Sequence, residues 1–185
     1  MTTTTAGRAG RTGRAPTSLN VVRGDGAERL SEPVDWQSWY LTDEEDMGQS
    51  PAHDVAIRLI ENSLRQLFKQ RGLHERFVGR DHFFGWRPDH PLVRVSPDVH
   101  VFPFVPALPY PDSWQVWRDG HSPPWVAFEI VSQDWKKDYE LNPAKYAQLG
   151  CQELIIFDSK PRGGRAIPLQ VYCRTDDGLF VQQAR

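Results

Sequence analysis

Cysteine is nearly absent: Cys151 and Cys173 are the two thiols in 185 residues. That excludes a disulfide-stapled mini-protein and a four-cysteine zinc site. The pair reads as reduced thiols in a cytoplasmic protein. No run of about 18 apolar residues occurs, so no membrane-spanning helix is expected. No positively charged segment leads into an apolar stretch, so no secretory signal is visible. Several catalytic motifs are missing as well. There is no G-x-S-x-G, no Walker loop, no G-x-G-x-x-G and no C-x-x-C pair. The Gly163-Gly164 pair sits in a Lys-Pro-Arg-Gly-Gly-Arg turn and reads as a loop. An excess of basic charge is lacking too. The net charge is −2, which excludes a strongly basic nucleic-acid binder but leaves room for a local basic groove.

The distribution of charge says more than its total. Residues 1–30 carry five arginines against Asp25 and Glu28, and residues 31–50 carry six acids and no base. The first 30 residues are Thr, Gly, Arg and Ala with almost no bulky apolar group, a composition that predicts a disordered tail. The rest, residues 31–185, is expected to form one domain that begins near Pro33. There Trp36, Trp39, Tyr40 and Leu41 give the first cluster worth burying. No internal repeat is visible.

The clearest element is a helix over Pro51 to Arg71, with Ser50 as cap, Pro51 in the first turn and Gly72 as stop. Ile57, Ile60, Leu64, Leu67 and Phe68 form its apolar stripe. His53 falls on that stripe and Glu61 at its edge. Short strands are expected at Arg76–Val78 and His82–Trp86, and a richer one at Asp98–Val105. Residues 106–124 carry five prolines and predict a long loop rather than a strand. Trp125–Val131 is a nearly all-apolar strand interrupted by Glu129. A helix over Pro143–Leu149, capped by Asn142 and stopped by Gly150, leads to a buried strand at Leu154–Asp158. A strand, a helix and a strand in close succession suggest a crossover unit. Leu169–Arg174 and Leu179–Val181 flank Asp176–Gly178 as a hairpin. The expected architecture is an α/β core with a mixed sheet.

Two carboxylates stand where packing alone would not put them. Asp98 follows Pro97 at the start of a strand, and Glu129 lies inside an apolar one. Burying an unpaired carboxylate costs several kcal/mol, roughly. A cation, a hydrogen-bond network or a protonation shift would offset that cost. The structural reading is a buried ion pair to an arginine; the functional one is a divalent cation, since hard ions take oxygen ligands from two or more carboxylates. Ser132, Asp134, Lys136, Lys137 and Asp138 follow Glu129, just past the strand's C-terminal end, where open α/β sheets bind ligands. A charge run in such a loop is more often simply solvated. Asp98 and His100 share a face of their strand, and with Glu129 they would make a two-carboxylate, one-histidine site. The six histidines (His53, His74, His82, His90, His100 and His121) show no H-x-H or H-x-x-x-H spacing. Taken singly, His53 and His100 read as core-packing residues.

Four strings together resemble the Uma2 family. They are Val95-Ser96-Pro97-Asp98-Val99-His100-Val101, Trp125-Val126-Ala127-Phe128-Glu129-Ile130-Val131-Ser132, Lys145-Tyr146-Ala147-Gln148-Leu149-Gly150 and Glu153-Leu154-Ile155-Ile156-Phe157-Asp158. The resemblance covers about residues 38 to 183, and the acidic Asp43–Asp46 segment before His53 fits it too. It implies an endonuclease with the PD-(D/E)XK fold: an α/β, restriction-endonuclease-like core in which a mixed β-sheet is flanked by helices. Asp98 and Glu129 would then be the metal-binding acids, with the Ile130 carbonyl completing the ligand set. The lysine position two residues after the second acid is Val131. The family's helix position four residues before the tyrosine is Asn142. Lys145, one turn on from Asn142, is the choice for the lysine, with Lys136 and Lys137 as alternatives. Glu61 is a candidate third ligand, although a solvated edge residue is the commoner role.

The resulting expectation is a Mg²⁺-dependent endonuclease acting on DNA, with Mn²⁺ as a substitute ion. A basic groove from Lys136, Lys137, Arg162 and Arg165 would hold the substrate. A homodimer would supply two sites for cutting two strands. The alternative is a catalytically inactive binding module that keeps the nuclease fold and lacks the lysine.

Overall fold

Ser50 starts the first helix, as the spacing predicts. α1 spans Pro51–Arg71; the Ser50 side chain accepts from the His53 N–H, and Gly72 closes the helix in the left-handed region at φ 70°. Only glycine enters that region without a Cβ penalty. In the computed structural model, residues 21–23, 26–28, 50–131, 137–158 and 168–184 are described.

The other elements, in chain order, are β1 Val21–Arg23, β2 Gly26–Glu28, β3 Phe77–Gly79, β4 Phe83–Gly85, β5 Arg94–Val95, β6 Val99–Phe102, β7 Ser113–Gln115, β8 Val126–Ile130, α2 Asn142–Leu149, β9 Glu153–Phe157, β10 Leu169–Arg174 and β11 Phe180–Ala184. Eight strands make one mixed sheet in the order β2-β1-β11-β10-β9-β8-β6-β3, and β5-β4-β7 make a second. β8 and β9 pair in parallel, Glu129 beside Ile156. A parallel pair needs a crossover connection, and α2 lies in it. β10 and β11 form the expected antiparallel hairpin.

Alternation along the strands splits the core into two layers. Ile57 of α1 clusters with Val78, Val99, Val101, Val126 and Ile130. On the other side, Ala144, Tyr146 and Leu149 of α2 cluster with Ala127, Leu154 and Ile156. Neighbouring residues of β8 and β9 thus serve opposite helices, which is why both strands read as continuous apolar runs. The result is a sheet covered by one helix on each face.

Three expectations differ from the structure. β1 and β2 lie inside the stretch read as a tail; β1 pairs with β11 through the backbone, a ladder that asks for no bulky side chain. β7 lies inside the proline-rich stretch, because residues 113–115 contain no proline and pair in parallel with β4. Asn142 is not a cap: a π-helical turn, Lys137–Leu141, precedes α2, and Leu141 takes the cap position with no side-chain bond. No described helix is long and apolar enough to cross a membrane. Both cysteines are free, and burial pushes the Cys151 thiol up to about 12.

His100 packs as expected, among aromatic rings. It is 0% exposed, its Nε2 lies 3.3 Å from His82 Nδ1, and Phe84 and Phe102 meet it edge-on. Burial, and then His82, push its pKa down to about 3 from 6.5. The folded protein therefore holds His100 neutral where the unfolded chain takes up a proton. Stability is full above pH 6.5 and falls as pH drops toward 3. The expected loss from this ring is about 2 kcal/mol by pH 5. Urea denaturation at pH 7 and pH 5 checks it: His100→Leu should flatten the difference, and an unchanged slope would assign the acid sensitivity elsewhere.

Candidate active site

The β6–β8 ladder ends at Val99 beside Phe128. One step beyond, a side chain takes over from the backbone: Asp98 Oδ2 accepts the Ile130 N–H at 2.7 Å. Its other oxygen, Oδ1, lies 2.9 Å from His53 Nε2. The first acid is thereby tied to the residue that follows the second acid. The two carboxylates come from neighbouring strands, at the same end of the sheet.

Glu129 faces the α2 side, with 8% exposure. Tyr146 donates its hydroxyl to Glu129 Oε1 at 2.5 Å. Burial pushes the Glu129 carboxyl well above its usual range, and the charges of Asp98 and Asp138 push the same way; the Tyr146 bond and Lys137 oppose them. Burial and Glu129 likewise hold the Tyr146 phenol well above its usual value. No salt bridge to Glu129 occurs among the described residues, so the bland alternative, a structural ion pair to an arginine, has no support there. Buried Glu129 and half-buried Asp98 repel each other when both are ionised, and a hard divalent cation is one ligand chemistry that relieves this, as protonation of Glu129 is another. The donor set therefore fits Mg²⁺ or Mn²⁺ in kind. Among the described residues, no three His, Cys, Asp or Glu side chains alone form a metal-binding group.

The sequence reading missed Tyr146 and Asp138 as site residues. Asp138 was expected to be solvated within a charge run, yet it is 4% exposed and accepts from Asn142 Nδ2 at 3.4 Å. The signal was available: Asp138, Asn142 and Tyr146 recur every fourth residue, the spacing of one helical face. Lys145 is 5% exposed on α2, beside Tyr146. Lys137 is close enough for its charge to act on Glu129. Ser132, Asp134, Lys136, Arg162 and Arg165 lie outside the described residues, as do Trp36, Trp39, Tyr40, Leu41 and the Asp43–Asp46 segment.

Three readings are corrected. His53 is not a packing residue: it bonds Asp98, and that bond raises its pKa against the opposing effect of burial. Glu61 is not drawn to the acids; Arg65 bonds it at 3.0 Å and Arg80 lies 3.7 Å away. His100 turns to His82 and the aromatic core, so the site of Asp98, His100 and Glu129 does not form.

Comparison with known families adds one finding. The Uma2 family model, described as "putative restriction endonuclease", matches residues 36–184. No curated protein matches the chain.

Proposed function

The chain belongs to the Uma2 family, and from that premise we propose that it is a metal-dependent endonuclease that hydrolyses phosphodiester bonds in DNA. The observation that carries the proposal is the pairing of Asp98 with Glu129: two shielded acids on adjacent strands, linked through the Ile130 N–H. Asp98, Glu129 and the Ile130 carbonyl would hold Mg²⁺, with Mn²⁺ able to replace it. When bound, the cation lowers the pKa of the attacking water and stabilises charge on the phosphate.

The chain's own residues supply the rest. Tyr146 keeps Glu129 in place from the α2 side. Lys145 is our choice for the group that offsets developing charge, because it stands one residue from Tyr146 and three from Asn142, on the helix that carries the family's lysine. Lys137 is its nearest rival, since its charge already acts on Glu129.

Nicking of supercoiled plasmid with and without Mg²⁺ or Mn²⁺ tests the proposal. We expect relaxed and linear product only with metal, and none from Asp98→Asn. One observation favours the alternative, a binding module. Asn142, which stands in the lysine position, is 2% exposed and bonded to Asp138, so the sequence has filled that place with a neutral side chain. Folded wild type that binds DNA but never cuts it, with either metal, would decide for that alternative.

A further inference from the structure

Each oxygen of Asp98 is held from a different direction. Ile130 N–H, from the sheet, sits on Oδ2 at 2.7 Å. His53 Nε2, from α1, sits on Oδ1 at 2.9 Å, with the two side chains 14% and 11% exposed. The geometry points to His53 as the positioning residue of the acid pair: it holds Asp98 in the orientation that lets its remaining lone pairs share a divalent cation with Glu129. This rests on the metal reading above.

A carboxylate at a strand end is free to turn about two torsions, and a single hydrogen bond leaves it swinging about that contact. Two donors, one on each oxygen, fix its plane. Each oxygen has two lone-pair directions, so each keeps one for a metal. Because a carboxylate only accepts, His53 Nε2 must carry the proton of the bond, which sets the ring's role as a donor.

His53 is itself well placed to hold something else still. Its backbone N–H is bonded by Ser50 O at 2.9 Å and by Ser50 Oγ at 3.3 Å. One turn later, Ile57 is 1% exposed and clusters with Val99 and Ile130. Those are the residues that follow Asp98 and Glu129. The same helix turn is thus locked to both strands that carry the acids. Ligand-orienting partners of this kind change metal affinity by 10–100-fold when removed, on the order seen in metal sites generally.

The test is Mn²⁺ binding to the full chain by titration calorimetry, for wild type, His53→Ala, His53→Gln and Asp98→Asn. The glutamine amide nitrogen reaches the place of Nε2, so His53→Gln should bind within about threefold of wild type, while His53→Ala should lose about 10–100-fold. Asp98→Asn should lose binding outright. A purely structural histidine would lower thermal stability in both variants without this split. His53→Ala that binds Mn²⁺ as tightly as wild type, while Asp98→Asn does not, overturns this inference alone. Wild type that binds no Mn²⁺ overturns the metal reading and this inference with it. If His53→Ala does not fold, His53→Asn replaces it, since its shorter amide stops at the place of Nδ1; affinity equal to that of His53→Gln would then overturn the proposal.

Discussion

Glu129→Gln is expected to abolish metal-dependent cleavage and, in the same protein, to raise the stability of the fold. The two effects have one cause. Glutamine keeps the shape of the side chain and an oxygen to accept the Tyr146 hydroxyl, now 2.5 Å from the carboxylate. It removes the charge that would hold the cation. Cleavage should fall by at least about 10³-fold, the scale on which a single pre-placed electrostatic group acts. Stability should rise because burial and the charges of Asp98 and Asp138 disfavour ionised Glu129. A neutral isostere of a buried charge gains about 1–3 kcal/mol.

The pH dependence separates this from a generic stabilisation. Glu129 has a raised folded pKa against an ordinary value of 4.5. Below pH 4.5 the wild-type residue is protonated in both states and carries no penalty. The penalty grows as pH rises through the folded pKa. The advantage of glutamine over wild type should therefore be largest at alkaline pH and vanish in acid. Thermal melts of both proteins in EDTA across this range measure it. Adding Mg²⁺ should then raise the melting temperature of wild type and leave the variant unmoved. A variant that cuts at the wild-type rate, or that melts lower at every pH, would remove Glu129 from this role.

How far the sequence could lead to this site is a question of which forces write themselves locally. Asp98 and Glu129 were legible because each breaks a local rule: an acid after proline at a strand start, and an acid inside an apolar run. His53 breaks none. On the helical wheel it falls with Ile57 and Ile60, and an imidazole on an apolar stripe packs more often than it binds. Only the approach of α1 to the end of β6, a tertiary fact, turns it toward Asp98. Asp138 was hidden by its neighbours, because Lys136 and Lys137 make the stretch read as solvated. What buries it is the π-helical turn that leads into α2.

The same division runs through the fold. α1 was legible from end to end because its cap, stripe and stop are all local signals. The β8–α2–β9 crossover was legible because two apolar runs bracket a short helix pattern. β1 was not, since a strand held by backbone bonds to β2 and β11 can form whatever its composition. β7 was obscured by flanking prolines, which forbid ladder bonds at their own positions and say nothing of residues 113–115. The same proline-rich stretch supplies Pro109, Trp114 and His121 to the lining of a pocket of about 300 Å³, which no spacing rule predicts.

Gly79→Ala should be the most damaging small substitution on the sheet. Gly79 pairs with His100 across β3 and β6. A Cβ built there would stand 2.5 Å from His100 Nε2 and 2.8 Å from Phe77 Cε1. The imidazole cannot step aside, because Phe77, His82, Phe84 and Phe102 all meet its ring. β3 must move instead, at the edge of the sheet. Overpacking of this kind costs about 1–3 kcal/mol, against a gain of about 0.4–1 kcal/mol from the stiffer unfolded chain. The clash wins, and the net loss should approach 2 kcal/mol. A double-mutant cycle in urea isolates the contact. His100→Ala opens a cavity and is costly alone, but Gly79→Ala should cost less in that background than in wild type, by about 1 kcal/mol or more. Additive costs would mean that β3 absorbs the methyl group without touching His100. A measured coupling would tie the glycine to the histidine on β6, and would show that the missing side chain at the sheet's edge is what lets β3 pair this closely with that strand.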